Sequence, residues 1–323
     1  MQPGQKDSSA GAAAGGRLGL AFGGGLPFGL VALGVLRVFE EERIPVHRLA
    51  GTSMGSVIAA TYAARLSIDE CIDRFAAAFN KKRMLAALLR DLSFSGRGIL
   101  RGQEVVHLLE SFIGRDRTFE DLLIPLRIPA CDLADGTEVV FASGPLIPAI
   151  RASISLPGIF APFVHDGRQL VDGALLRPIP VHLLGEDEVD VKIPVRAVRL
   201  RSRTQLHDDV RRAHTEHRLS SRFTRQREDL FTVMWRAMSL IMQDEFAEMI
   251  FDDFDVYIKP KLDLDLSRDP SRLHEIVQAG YDETRRTLPA IRAVLEAAAT
   301  PRPRRARRKR GSSAADLDAE IED

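Results

Sequence analysis

The chain has 323 residues, 45% of them hydrophobic and 28% charged, and its 45 basic and 45 acidic side chains balance to zero. That allows a sizeable apolar core and gives no charge bias toward nucleic acid, so no nucleic-acid partner is expected. Cys71 and Cys131 lie in apolar periodic segments and read as buried thiols, while no Cys/His spacing suggests a metal and no cofactor is implied.

Residues 1–16 are rich in Gly, Ala and Ser and read as a disordered leader without the apolar stretch of a signal peptide. No run of about 18 apolar residues suggests a spanning helix, and a cytoplasmic location is the expectation. "RLGLAF" predicts a strand, "GGGLPFG" a glycine loop, and "LVALGVLRVFEEE" a helix with Leu30, Leu33, Val35, Leu36 and Phe39 on its apolar side. "IPVHRLAG" predicts a second strand and "SVIAATYAARL" the next helix. This β-loop-α-β-turn-α order favours a parallel sheet with helices on its faces.

Helix is expected from about Ile68 to Leu89 and from Gly102 to Phe112. "LRIPACDLADGTEVVFASG" predicts two strands joined by a turn at Asp135-Gly136. "PLIPAIRASISLPGIFAPF" reads as a helix ending near Pro157, and "VHDGRQLVDGALLRPIPV" as two short strands around a turn. Arginine-rich sequence from Arg196 to Arg227 reads as a surface insertion. A long amphipathic helix is expected from about Asp229 to Ile250, a strand at "FDVYIKP", and a last helix from about Ser271 to Ala298. The basic run and acidic end of residues 301–323 predict a disordered tail.

The chemistry concentrates where the second predicted strand turns into a helix. Gly51-Thr52-Ser53-Met54-Gly55 fits G-x-S-x-G, a pattern that holds a serine on a tight turn with its hydroxyl projecting into a cleft. Gly51 and Gly55 would remove side chains that clash as the two arms close. The same residues also fit a serine that merely caps the helix. An acyl-transfer nucleophile needs a base and donors for the oxyanion. Gly23, Gly24 and Gly25 follow a strand and precede a helix, so their amides can approach a substrate oxygen. A dinucleotide fingerprint fits less well. Phe28 stands where a third glycine is wanted, and the second strand ends in Ala50-Gly51 instead of an acid. No histidine lies in a motif that would aim it at Ser53. Asp172, followed by Gly173 at the end of "RQLV", is better placed, though Asp-Gly is also a common turn.

Three blocks in order resemble a bacterial patatin-like phospholipase across nearly all of residues 17–298. They are "LGLAFGGGLPFGLVALGVLRVFEEERIPVHRLAGTSMGSVIAATYAA", "AIRASISLPGIFAPF" and "LVDGALLRPIPV". The resemblance implies a three-layer α/β fold with a mainly parallel central sheet and helices on both faces. Residues 17–298 would form one domain, with the insertion at about 196–228 and the tail at 299–323. It also implies Ser53 as nucleophile, Asp172 as its base in a histidine-free dyad, Gly23 to Gly25 as the oxyanion hole, and Gly173-Ala174 as part of a D-G-A block. Activity would then fall only in acid, below the range where histidine titrates. Leu26 and Phe28 replace a glycine and a cation usual in the family's loop, and Arg177 stands where asparagine is common. The implied function is hydrolysis of phospholipid or lysophospholipid esters. The alternatives are a weakly active lipid-binding or regulatory protein, or an acyltransferase. Peripheral membrane contact could come from "KKRMLAALLRDL" at Lys81 to Leu92 or the run Arg302 to Arg310, and acyl-chain contact from Phe231, Met234, Trp235, Met238, Ile241 and Met242. The two helical stretches fit ordinary core-packed helices better, and the basic run equally fits a solvated tail. Oligomeric state is not indicated.

Overall fold

Apolar alternation in the first strand sets the architecture. In the computed structural model, which describes residues 16–25, 28–64, 67–78, 86–87, 89–93, 98–200, 254–263 and 272–300, Leu18–Phe22 form β1. Leu18, Leu20 and Phe22 enter the main core, whereas Ala21 joins a smaller cluster. Successive residues of a strand point to opposite faces, so β1 is buried on both. The strand β2 (Arg48–Gly51) repeats this, with Leu49 in the main core and Ala50 in the smaller one.

The strands β3 (Leu126–Asp132), β4 (Glu138–Phe141), β5 (Phe163–His165), β6 (Arg168–Asp172) and β7 (Val191–Val195) complete the sheet, ordered β5-β6-β3-β2-β1-β7 with β4 also on β3. Pairing is parallel across β7-β1-β2-β3 and antiparallel where β4 and β6 meet β3 and β5 meets β6. The α/β fold therefore has a parallel centre and an antiparallel end. The hairpin turn between β3 and β4 has Gly136 at φ 71°, as its Asp-Gly sequence predicts.

Six α-helices are described: α1 (Val31–Glu41), α2 (Met54–Ala63), α3 (Ile68–Ala78), α4 (Gln103–Ile113), α5 (Leu146–Ser153) and α6 (Leu273–Ala299). All six contribute buried side chains to the main core. The 3-10 helix Val181–Leu184 covers the other face with Ile179 and Val189, and small residues suit it there. A Cβ on Gly19 would already lie 3.1 Å from the Leu184 methyls. Cys71 and Cys131 are buried thiols.

Three local expectations change. Helix α5 ends at Ser153, earlier than Pro157, because the Ser155 hydroxyl bonds back to the Arg151 carbonyl (2.7 Å) and a residue before proline disfavours helix. "FDVYIKP" is not a regular strand. It runs along β7 with one bridge, Ile258 to Val195, since Pro194 has no N–H to donate, and a two-stranded sheet of β8 (Val198–Leu200) and β9 (Lys261–Asp263) follows. The arginine-rich stretch starts inside the fold, with Arg196 buried and Val198–Leu200 in a strand. Its remainder, the helix expected at 229–250, residues 1–15 and residues 301–323 lie outside the described residues, as does half of Lys81 to Leu92. Among the described residues no helix is long and apolar enough to cross a membrane.

The closest backbone approach joins α1 to α6. A Cβ on Gly34 would collide with the Val277 carbonyl, and one on Gly280 with the Val31 carbonyl. Arg285 and Arg292 pair with Glu41 and Glu42 across the same contact, but exposed pairs contribute little. Gly34→Val is therefore expected to lower stability by about 1–3 kcal/mol, and Arg292→Ala by no more than about 1 kcal/mol. Thermal melts of the two variants check the ranking.

Candidate active site

The parallel register brings the functional loops together. Phe22 lies opposite Gly51 on one side and Val195 on the other, so three strand ends finish level. Open α/β sheets place their clefts at such carboxyl ends.

Ser53 takes φ 54° and ψ −125° between β2 and α2, a conformation that an L-residue holds only under tertiary constraint. Gly51 and Gly55 make that turn feasible. A Cβ on Gly51 would lie 2.5 Å from the Gly55 carbonyl oxygen, and one on Gly55 would strike the Phe22 carbonyl. The Ser53 amide donates to the Ser153 hydroxyl (3.0 Å), and the Ser56 hydroxyl donates to the Ser53 carbonyl (2.6 Å). A plain capping serine would accept from the first turn of its helix, and Ser53 makes no such side-chain bond.

Gly24 sits against the serine, where an added Cβ would be 2.9 Å from Ser53 Cβ. The three loop glycines are not equivalent as donors. The Gly23 amide donates to the Val195 carbonyl (3.0 Å) and the Gly24 amide to the Pro178 carbonyl (3.2 Å). Gly25, at φ 105°, makes no backbone N–H bond to another described residue. In this conformation the Gly23 and Gly24 amides are taken by the scaffold, while the Gly25 amide has no backbone acceptor among the described residues. Met54 N–H, directly after Ser53, is the other donor that such a turn presents, and its position beside Ser53 is the available sequence signal. Leu26 lies outside the described residues, and Phe28 begins a 3-10 turn, Phe28–Leu30.

Asp172 closes the site from the end of β6. It pairs with Ala130 of β3, is fully buried, and its amide donates to the Ser155 carbonyl (3.1 Å). Gly173 is required beside it, since a Cβ there would lie 2.6 Å from the Pro129 carbonyl oxygen. One carboxylate oxygen, Oδ1, accepts from the Ala174 amide (2.9 Å). The other, Oδ2, has no hydrogen bond of standard geometry, yet the Ser53 hydroxyl is near enough to favour the ionised form. Burial dominates, pushing the Asp172 pKa up to about 6 against these two bonds. An acid limb would then fall close to the histidine range, higher than the sequence suggests. His47 and His182 are engaged elsewhere, with the Leu18 amide and the Glu138 carboxylate. Arg177 is half-buried, its amide bonded to the Gly173 carbonyl. Among the described residues no group of three or more His, Cys, Asp or Glu could hold a metal ion.

A buried acid with a raised pKa lowers stability wherever the unfolded chain would ionise it. The penalty is fully present above about 6, shrinks as pH falls, and is gone below the ordinary value of 3.8. A shift of that size corresponds to on the order of 3 kcal/mol. Asp172→Asn, neutral at every pH, is therefore expected to melt higher than the parent at pH 8, with the gap closing toward pH 4. Paired melts across that range check it.

A sequence model of the family described as "Patatin-like phospholipase" matches residues 20–184. An uncharacterized NTE family protein of Mycobacterium tuberculosis is 36% identical over 179 residues, covering 55% of this chain and 48% of its own length. The lysophospholipase NTE1 of Kluyveromyces lactis is 31% identical over 165 residues, covering 51% of this chain and 11% of its own. The chain thus spans about half the length of the mycobacterial relative and a small part of the yeast one. Among solved structures, VipD from Legionella pneumophila aligns with a TM-score of 0.46 at 14% identity, over 86% of this chain and 67% of that one. The matched residues 20–184 contain the glycine loop, the Ser53 turn and Asp172, and the chain belongs to the patatin-like phospholipase family.

Proposed function

We propose that the chain is a lipid acyl-ester hydrolase of the phospholipase A or lysophospholipase type, with Ser53 as nucleophile and Asp172 as its base. The observation that carries this reading is a fully buried carboxylate with one unbonded oxygen beside a serine held at positive φ. The family match and the name of the yeast relative support a lipid ester as substrate.

A serine hydroxyl is almost never ionised near neutral pH and needs a base at hydrogen-bond range. A solvated aspartate is a poor proton acceptor, and burial makes Asp172 a stronger one. As Ser53 Oγ attacks the ester carbonyl, its proton passes to Asp172, and negative charge develops on the carbonyl oxygen. Gly25 and Met54 amides, at the positive ends of α1 and α2, are the donors best placed to meet that charge. Collapse of the intermediate breaks the bond to the alcohol, which takes the proton from Asp172 and leaves an acyl-serine. Water then attacks the acyl group with Asp172 again accepting a proton, and as the acyl–oxygen bond breaks that proton passes to Ser53 Oγ, restoring the hydroxyl and the carboxylate.

Asp172 must be ionised to start this cycle, so kcat/KM is expected to rise with pH through about 6 and level off above it. Ser53→Ala and Asp172→Asn should each lower ester turnover by about a thousandfold or more while the protein stays folded. Single His→Gln changes at the eight histidines should leave most activity. Hydrolysis of a lysophospholipid, a diacyl phospholipid and a soluble short-chain ester by purified protein measures all three. An active Asp172→Asn, or one histidine whose loss abolishes turnover, overturns the dyad.

A further inference from the structure

The elbow serine is held by a residue that no G-x-S-x-G pattern contains. At φ 54° the Ser53 amide points away from the ladder of α2, where the first donors of any helix lack internal partners. A buried amide left without an acceptor is costly, and here the acceptor is the hydroxyl of Ser153, itself fully buried at the end of α5. Two residues further on, the Ser155 carbonyl accepts the Asp172 amide (3.1 Å). The backbones of both dyad residues are thus tied to one three-residue segment.

That segment is anchored in turn. The Ser155 hydroxyl accepts from Arg151 Nη1 (2.5 Å) and donates to the Arg151 carbonyl (2.7 Å). The buried Arg151 guanidinium also donates to the carbonyls of Arg101 (2.7 Å) and Ala161 (3.2 Å), and lies over the rings of Phe160 and Phe163. A buried cation satisfied by fixed carbonyls cannot move without exposing unmet donors. Rotation or translation of the turn would break the Ser53 and Asp172 contacts together.

We propose that the turn Arg151–Ser155 is a positioning clamp that sets the spacing of Ser53 and Asp172, with Ser153 the residue that holds the nucleophile in its strained backbone conformation. The catalytic consequence rests on the ester-hydrolase reading, whereas the structural one does not. Ser153 touches neither reacting atom in this scheme; it acts through the Ser53 backbone.

The test joins amide exchange with kinetics. In Ser153→Ala the Ser53 amide loses its acceptor, so exchange of the elbow peptide is expected to quicken while that of β1 and α1 is unchanged. Misplacing a reacting group by about 1 Å costs about a hundredfold, so kcat and the rate of fluorophosphonate labelling should fall about 10–100-fold. KM should stay within about twofold, the acid limb of the rate profile should not move, and labelling should still reach one per chain. Ser153→Cys, with a weaker acceptor in nearly the same volume, should fall between, and it serves if the alanine variant does not fold. Unchanged elbow exchange, a parental labelling rate, or a loss confined to labelling stoichiometry each overturns the clamp. A parent protein that neither hydrolyses esters nor takes the label overturns the hydrolase reading instead, and elbow exchange still decides the clamp.

Discussion

The positive φ of Ser53 is the constraint on which the rest of the site depends. A strained residue persists only where its surroundings over-determine it. Here they do so from four sides. Gly51 and Gly55 leave room for the crossing of strand and helix, Gly24 lets the glycine loop reach the serine, and Ser153 accepts from the strained residue's amide. Register extends the same requirement across the sheet. Because Phe22 is level with Gly51 and Val195, a slip of one residue would withdraw the glycine loop and invert the faces of β1.

In the proposed dyad the base obeys the opposite logic to the nucleophile. Ser53 would be presented by backbone strain, and Asp172 would be made a stronger base by burial. Those two devices cost stability in different ways: the first at all pH values, the second only where the unfolded chain would ionise the carboxyl, above about 3.8. The opposing core is large, with six helices contributing apolar side chains to one cluster, and an exposed carboxylate at Asp172 would need no such support. The penalty to the fold grows from pH 3.8 upward and is complete at about 6, where Asp172 becomes mostly ionised and, in the proposed dyad, competent as a base. In that reading stability and activity are coupled through a single proton.

Much of this was legible in the residues. Periodicity located β1, α1, β2, α2 and the β3–β4 hairpin, because each is short, apolar and bounded by glycine or by a turn. Motif spacing singled out Ser53, Asp172, Gly24, Gly173 and the two elbow glycines, which the structure gathers at adjoining strand ends. Other features were hidden by competing signals. Strand β7 carries Lys192 and Pro194, which break a strand pattern, and proline is tolerated because β7 ends the sheet. Nothing in the helix pattern marks Arg151 as buried, yet its guanidinium is spent on buried carbonyls. The three loop glycines look alike in sequence, and only their hydrogen bonds separate the two whose amides are bonded to the scaffold from Gly25, whose amide has no backbone acceptor among the described residues.

The split among the glycines bears on how such a loop can work. A donor preorganised for an oxyanion must not reorient when charge appears, since reorganisation would cancel the electrostatic gain. An amide is held most firmly when its neighbours are bonded to the scaffold. Gly23 and Gly24 are bonded to Val195 and Pro178, and the Gly25 carbonyl accepts from Gly29 in the 3-10 turn ahead of α1 (2.6 Å). Gly25 thus has a fixed peptide on both sides. Its own φ of 105° is one that other residues seldom adopt, so the position requires glycine for conformation even though a Cβ there would meet open space. The loop needs three glycines for three reasons: Gly23 to pack against Ile179 and Arg196, Gly24 to admit Ser53, and Gly25 to hold a positive φ.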